Sequence, residues 1–208
     1  DALPIYPAGG QRCQAGTPQL RARGVYDAAA RTYTLTLEQS CAPTPGQAHK
    51  EPFVIPLSLG LVGPDGRDLP LQLADESLPG AGSRTFVISQ ASETLTFTNV
   101  DAEPVPSLLR GFSAPVVLEY DYSDAELLAL LAHDSDAFNR WEAGQRLALR
   151  CALAAIRSDA DPRTSKILDD AYLAAMRGVL RNPTLDAAFK ELVMTLPSET
   201  YIDRKSVV

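Results

Sequence analysis

Two imidazoles, three thiols and one short acidic run are the side chains of this sequence best suited to chemistry, and their spacing has to show whether they perform any. His49 lies in Gln47-Ala-His-Lys-Glu51, a polar stretch that favours a solvated imidazole over a ligand. His133 lies in Leu131-Ala-His-Asp134 at the end of a helical pattern, where a cation meets the negative end of the helix dipole. Neither stands in His-Glu-x-x-His, the spacing that puts two imidazoles on one helical face to hold a metal. Cys13 or Cys41 could join them, but the spacing fits no closed zinc pattern. In Glu119-Tyr-Asp-Tyr-Ser-Asp124, Glu119 and Asp121 share a face of a strand and could pair for acid–base work; a charged edge that discourages strand pairing fits better. Gly60-Leu-Val-Gly63 and Gly80-Ala-Gly82 have no helix after them, so they read as turns and not as phosphate cradles. Phe138 and Trp141 fall on one helix and read as core aromatics.

Composition narrows the function classes further. A chain of 208 residues has room for one large domain or two small ones. The 16 prolines and 13 glycines fit a turn-rich β portion, because a hydrophobic fraction of 45% is too high for a disordered chain. A net charge of -7 argues against a nucleic-acid surface, which needs clustered Lys and Arg to displace counterions. No apolar run approaches the roughly 20 residues of a membrane helix. The first ten residues have no basic region and no apolar core, so a signal peptide is not expected. Three cysteines at wide spacings are no disulfide framework; a reducing cytoplasm is the expected setting, with a Cys13–Cys41 bridge as the minor alternative.

The elements that must position these residues change character in mid-chain. Residues 1–16 show no periodicity and read as a tail or loop, and 17–122 read as a β domain. Strands are expected at 19–26, 32–39, 53–62, 67–73, 84–90, 93–100 and 115–122. Tyr33, Leu35 and Leu37 alternate with Thr34, Thr36 and Glu38, the period of a half-buried strand. The Gly63-Pro-Asp-Gly66 turn should join 53–62 and 67–73 as a hairpin. Seven short strands with regular turns predict an immunoglobulin-like antiparallel β-sandwich. Pro104, Pro106 and Pro115 bar a helix from the run that follows. Then Ser123-Asp-Ala-Glu126 fits a capping box, and 123–208 read as an all-α antiparallel helical-repeat segment. Its helices are expected at 124–133, 136–158 (capped by Ser135), 166–180 (after Thr164) and 185–196 (after Thr184).

Three motifs carry a resemblance. Pro104-Val-Pro-Ser-Leu-Leu109 with Phe112-Ser-Ala-Pro-Val116 resembles the end of the non-catalytic β-domain in the bacterial aminopeptidase N family, zinc aminopeptidases of the gluzincin type. Asp136-Ala-Phe-Asn-Arg-Trp-Glu-Ala-Gly-Gln145 resembles the start of that family's C-terminal helical domain, and Gln14-Ala-Gly-Thr-Pro18 the start of its β-domain. The likeness covers residues 14–199. Gly9-Gly-Gln-Arg-Cys13 departs from the family's aromatic-rich segment, and 203–208 depart from its continuation, so a truncated chain is expected.

The resemblance implies a parent enzyme that removes N-terminal amino acids from peptides, with a zinc-bound water and a Glu base on a separate catalytic domain of the same polypeptide. The catalytic segment would lie before residue 1. This chain would then carry no catalytic, cofactor-binding or metal residue. It would serve as scaffold, its sandwich packed on the catalytic domain and its helices walling the peptide chamber. Phe189, Leu192, Val193 and Leu196 would leave an uncapped apolar helix face, which predicts self-association. The alternative from the residues alone is a stand-alone immunoglobulin-like protein-binding module without enzymatic activity.

Overall fold

The computed structural model describes residues 14–158 and 168–206. The chain divides into two compact units, Asp1–Asp121 and Tyr122–Val208. Among the described residues the first unit is built from β1 (Gln19–Asp27), β2 (Thr32–Ser40), β3 (Ile55–Val62), β4 (Ser83–Ile88), β5 (Ser92–Phe97), β6 (Val105–Leu108) and β7 (Val117–Glu119). One sheet has the order β5-β2-β1-β7 and the other β4-β3-β6. All pairs are antiparallel except β1 with β7, which run parallel from Gln19↔Val117 to Arg21↔Glu119.

Side-chain alternation makes the sandwich. Tyr33, Leu35 and Leu37 of β2 point inward with Leu20 and Ala22 of β1, against Ile55, Leu57, Leu59 and Leu61 of β3 from the facing sheet. Phe86 of β4 meets Phe97 of β5 edge to face across the two sheets, with ring centroids 5.8 Å apart. Each such aliphatic side chain contributes about 1.5–3 kcal/mol by leaving water, so this one layer outweighs any surface pair.

Two strand expectations fail. Residues 67–73 form no strand, and 53–62 form no hairpin with them. After the Gly63–Gly66 turn, only isolated bridges remain, Val62 with Asp68 and Leu73 with Phe97. β3 takes β4 and β6 as its neighbours instead, because Leu69 and Leu71 pack into the core from an irregular segment. The partner on β3's other side is β6, a strand with Pro106 inside it that the proline-rich run concealed. Pro106 sits on an edge strand, where a missing N–H is tolerated. The last strand is also shorter than expected, Val117–Glu119.

The second unit comprises α1 (Asp124–His133), α2 (Ala137–Arg157), α3 (Asp170–Arg181), α4 (Ala187–Met194) and α5 (Glu199–Ser206) among the described residues. Ser123 and Glu126 close the expected capping box. Elsewhere the cap is an aspartate rather than the neighbouring hydroxyl. Asp136, Asp169 and Asp186 accept the backbone N–H of Asn139, Tyr172 and Phe189. The third helix is described from Asp170; its expected start at 166, with Thr164, lies outside the described residues. α5 was not expected, since Pro197 reads as a stop, yet Ser198 restarts the chain by accepting the Tyr201 N–H.

Leu127, Leu130 and Leu131 of α1 form the inside of this unit with Ala143, Leu147 and Ala148 of α2, Tyr172, Met176 and Val179 of α3, and Val193 of α4. A Cβ on Gly144 would stand 3.3 Å from Leu131 Cδ1 and 3.9 Å from Val193 Cγ1, so the small residue lets neighbouring helices close on α2. Gln145 Nε2 donates to the Thr195 carbonyl at 2.7 Å, supplying a partner at the open end of α4. Arg150 donates to the Tyr122 carbonyl and to Asp124, and Arg146 lies over the Tyr122 ring, which fixes where the helical unit begins.

Candidate functional site

The proline-rich motif builds the most constrained cluster in the β unit. After β6 the backbone enters the left-handed region at Leu109 (φ 57), Gly111 (φ 61) and Phe112 (φ 52), which is costly for the two bulky residues. Those turns carry Arg110 inward over the face of β3. Its Nη1 and Nη2 donate to Asp68 Oδ2 and Oδ1 at 2.9 and 2.7 Å, and its Nε donates to Ser107 Oγ at 2.8 Å. The fork geometry of guanidinium and carboxylate makes this a strong, directional pair. Gly60 lies directly beneath: a Cβ there would stand 2.2 Å from Arg110 Nη1. Gly60 is thus a strand residue under a guanidinium, not part of a turn. Ser113 Oγ accepts the Ser58 N–H at 2.9 Å and ties the far side of the motif to the same strand.

A groove of about 660 Å³ opens elsewhere on the β unit, lined by Leu69, Pro70, Gln72, Pro79, Asn99 and Val100 among others. Gln72 donates to the Glu76 carbonyl and accepts from Asn99 Nδ2, so the amide that faces the groove is already committed. Glu76 accepts the Leu73 N–H at 3.0 Å and pairs with Arg84 at 2.6 Å. These two donors, the backbone N–H first, hold its carboxyl below the usual range.

The remaining sequence candidates do not converge. His49 is exposed in its loop, and His133 is exposed in the last turn of α1. Glu119 pairs with Arg21 on the neighbouring strand at 3.1 Å, and Asp124 pairs with Arg150, so the acidic run is divided between two structural roles. Cys41 and Cys151 are free thiols; the Cys13–Cys41 alternative lies outside the described residues. Phe138 and Trp141 stack at 5.4 Å and are half-buried rather than central to the core. Sequence reading passed over Arg140 of the helical motif. It is buried beside buried Asp134, and burial lowers its affinity for the proton while the carboxylate opposes that shift. An arginine between Asn139 and Trp141 in an amphipathic pattern was the available signal. Among the described residues, no three His, Cys, Asp or Glu side chains stand together in a way that could hold a metal ion. The zinc of the gluzincin enzymes does not fit the donor set of these residues.

Residues 16–121 match the family described as domain of unknown function DUF3458, with an Ig-like fold, and residues 124–207 match its companion DUF3458_C, described as ARM repeats. The chain belongs to the DUF3458 family. Over 186 residues it is 37% identical to aminopeptidase N of Escherichia coli K12, which covers 89% of this chain and 21% of that protein. Against aminopeptidase N of Caulobacter vibrioides the identity is 39%, covering 89% of this chain and 20% of the relative. The crystal structure of Legionella pneumophila aminopeptidase A in complex with aspartic acid superposes with a TM-score of 0.70 at 25% identity, over 92% of this chain and 20% of that one. The DUF3458 chain therefore spans about a fifth of the length of the curated relatives it matches. The resemblance carried by the three motifs holds along most of its length, and so does the order of Ig-like sandwich then helical repeat. Among the described residues no helix is long and apolar enough to cross a membrane.

Proposed function

We propose that this chain is the non-catalytic scaffold of a zinc metallo-aminopeptidase, an enzyme of peptide catabolism that cleaves N-terminal amino acids from peptides. The observation that carries the reading is the identity to aminopeptidase N over 89% of the chain, combined with a span of only about a fifth of those proteins. Zinc and the catalytic Glu belong, on this reading, to another part of the same polypeptide. The β unit seats against that part and the helical unit walls the chamber that peptides enter. The setting is the cytoplasm, which the free thiols of Cys41 and Cys151 support.

The test reads the coding sequence before Asp1 and assays the chain. An in-frame His-Glu-x-x-His segment upstream, with no hydrolysis of aminoacyl anilides by the isolated chain in added zinc, is the expected result. Turnover by the isolated chain, or a reading frame that opens at Asp1, overturns it.

A second element of the proposal is self-association through the helical unit. Leu192 and Leu196 are each 51% exposed, whereas Phe189 is half-buried and Val193 is only 1% exposed. The apolar surface is therefore narrower than the four-residue face read from the sequence, since Val193 turns inward against α2.

A further inference from the structure

β1 begins at Gln19, but the chain is already held at Gln14, and by side chains instead of a sheet. Gln14 Nε2 donates to the Glu51 carbonyl at 2.9 Å, and the Glu51 N–H donates back to Gln14 Oε1 at 2.8 Å. One amide side chain thereby imitates an extended backbone partner. The Ala15 N–H donates to Gln47 Oε1 at 2.8 Å. The Lys50 ammonium then donates to the Ala15 carbonyl at 2.8 Å, Thr44 Oγ1 at 2.6 Å and Gln47 Oε1 at 2.8 Å. An ammonium has three N–H donors and no acceptor, so this set saturates it. Thr44 and Gln47 are fixed relative to each other by a reciprocal backbone pair at 2.9 and 3.1 Å, which holds two of the oxygens in position. Gly16, at φ 102, then turns the chain towards β1, and a Cβ there would meet Cys41 Sγ at 2.9 Å.

We propose that Lys50 is the resident cation of a clasp that binds residues 14–16 to the 42–51 loop and sets the heading of the polypeptide leading into β1. The three oxygens form a cage for a small ammonium, and Lys50 supplies that ion on a tether.

Amide hydrogen exchange on the whole chain tests it. In Lys50→Met the Ala15 and Glu51 amides exchange about tenfold faster than in the parent, while Leu35 and Leu57 in the core keep their protection. Lys50→Arg does not restore the slow exchange, because a planar fork cannot face three converging oxygens. In Lys50→Ala, methylammonium chloride restores protection at Ala15, and sodium chloride at equal ionic strength does not. Should Lys50→Met also loosen the core, Thr44→Val removes one oxygen and keeps the lysine; faster exchange at Ala15 in that variant supports the clasp. Unchanged exchange at Ala15 and Glu51 in the two variants, or equal rescue by sodium chloride, overturns it.

Discussion

Arg110 carries its guanidinium charge where only 5% of its side chain meets water, and Asp68 and Ser107 accept its N–H groups there. Removing the carboxylate leaves that charge in place without its strongest partner, and Asp68→Ala is expected to cost about 3 kcal/mol in urea unfolding of the β unit. Gly60→Ala forces a methyl group into the guanidinium, and a loss of about 1–3 kcal/mol is expected in the same measurement. Glu76 gives a pH signature. Its folded carboxyl is depressed, so its contribution is fully present above the unfolded pKa and fades as pH falls through the folded one. Urea midpoints of the parent should decline in that acid window more steeply than those of Glu76→Gln; equal slopes would show that the Leu73 and Arg84 bonds do not matter. None of these three roles was legible in the sequence. Gly60 sits near Gly63 and looks like punctuation, while the group that requires it arrives from another strand's far end.

At the scale of elements, local chemistry was readable where two residues answer each other. Ser123 takes the cap although Asp124 follows it, because Glu126 closes the box from the other side; Ser123→Ala should lower the stability of the helical unit by about 1 kcal/mol in thermal unfolding. Where no Glu three residues on closes a box behind the hydroxyl, the neighbouring aspartate took the cap, as at Ser135-Asp136 and Thr184-Leu-Asp186. A carboxylate adds its charge to the positive end of the helix, which a hydroxyl cannot do. Asp186→Asn should therefore be tolerated better than Asp186→Ala, which loses the bond to the Phe189 N–H as well. Alternation identified β2 and β5 because their partners lie on one face only. It failed for 67–73, where Leu69 and Leu71 point inward but only the Leu69 N–H reaches β3, at the Leu61 carbonyl, and Leu71 bonds to irregular neighbours, Ala81 and Gly80.

For the whole molecule, the order of architectures was legible because the periodicity changes once, near Ser123. The candidate site was not legible, since residue spacing cannot reveal a buried Arg140 or an Arg110 that reaches Asp68 from another strand's end. Self-association is the property that belongs to this scale. Sedimentation is expected to show mass increasing with concentration, and Leu192→Glu with Leu196→Glu should abolish the increase while helicity is retained; a parent chain that stays monomeric throughout removes this part of the proposal. The pairing of β1 with β7 has a mechanical consequence. The first and last strands of the β unit lie side by side and run parallel, with the Val117 N–H donating to the Pro18 carbonyl at 2.9 Å. A tension applied at the two ends of the unit pulls these strands past one another along their length. Their bonds are then loaded in shear and break together instead of unzipping singly, and the five strands between them feel no load until they do.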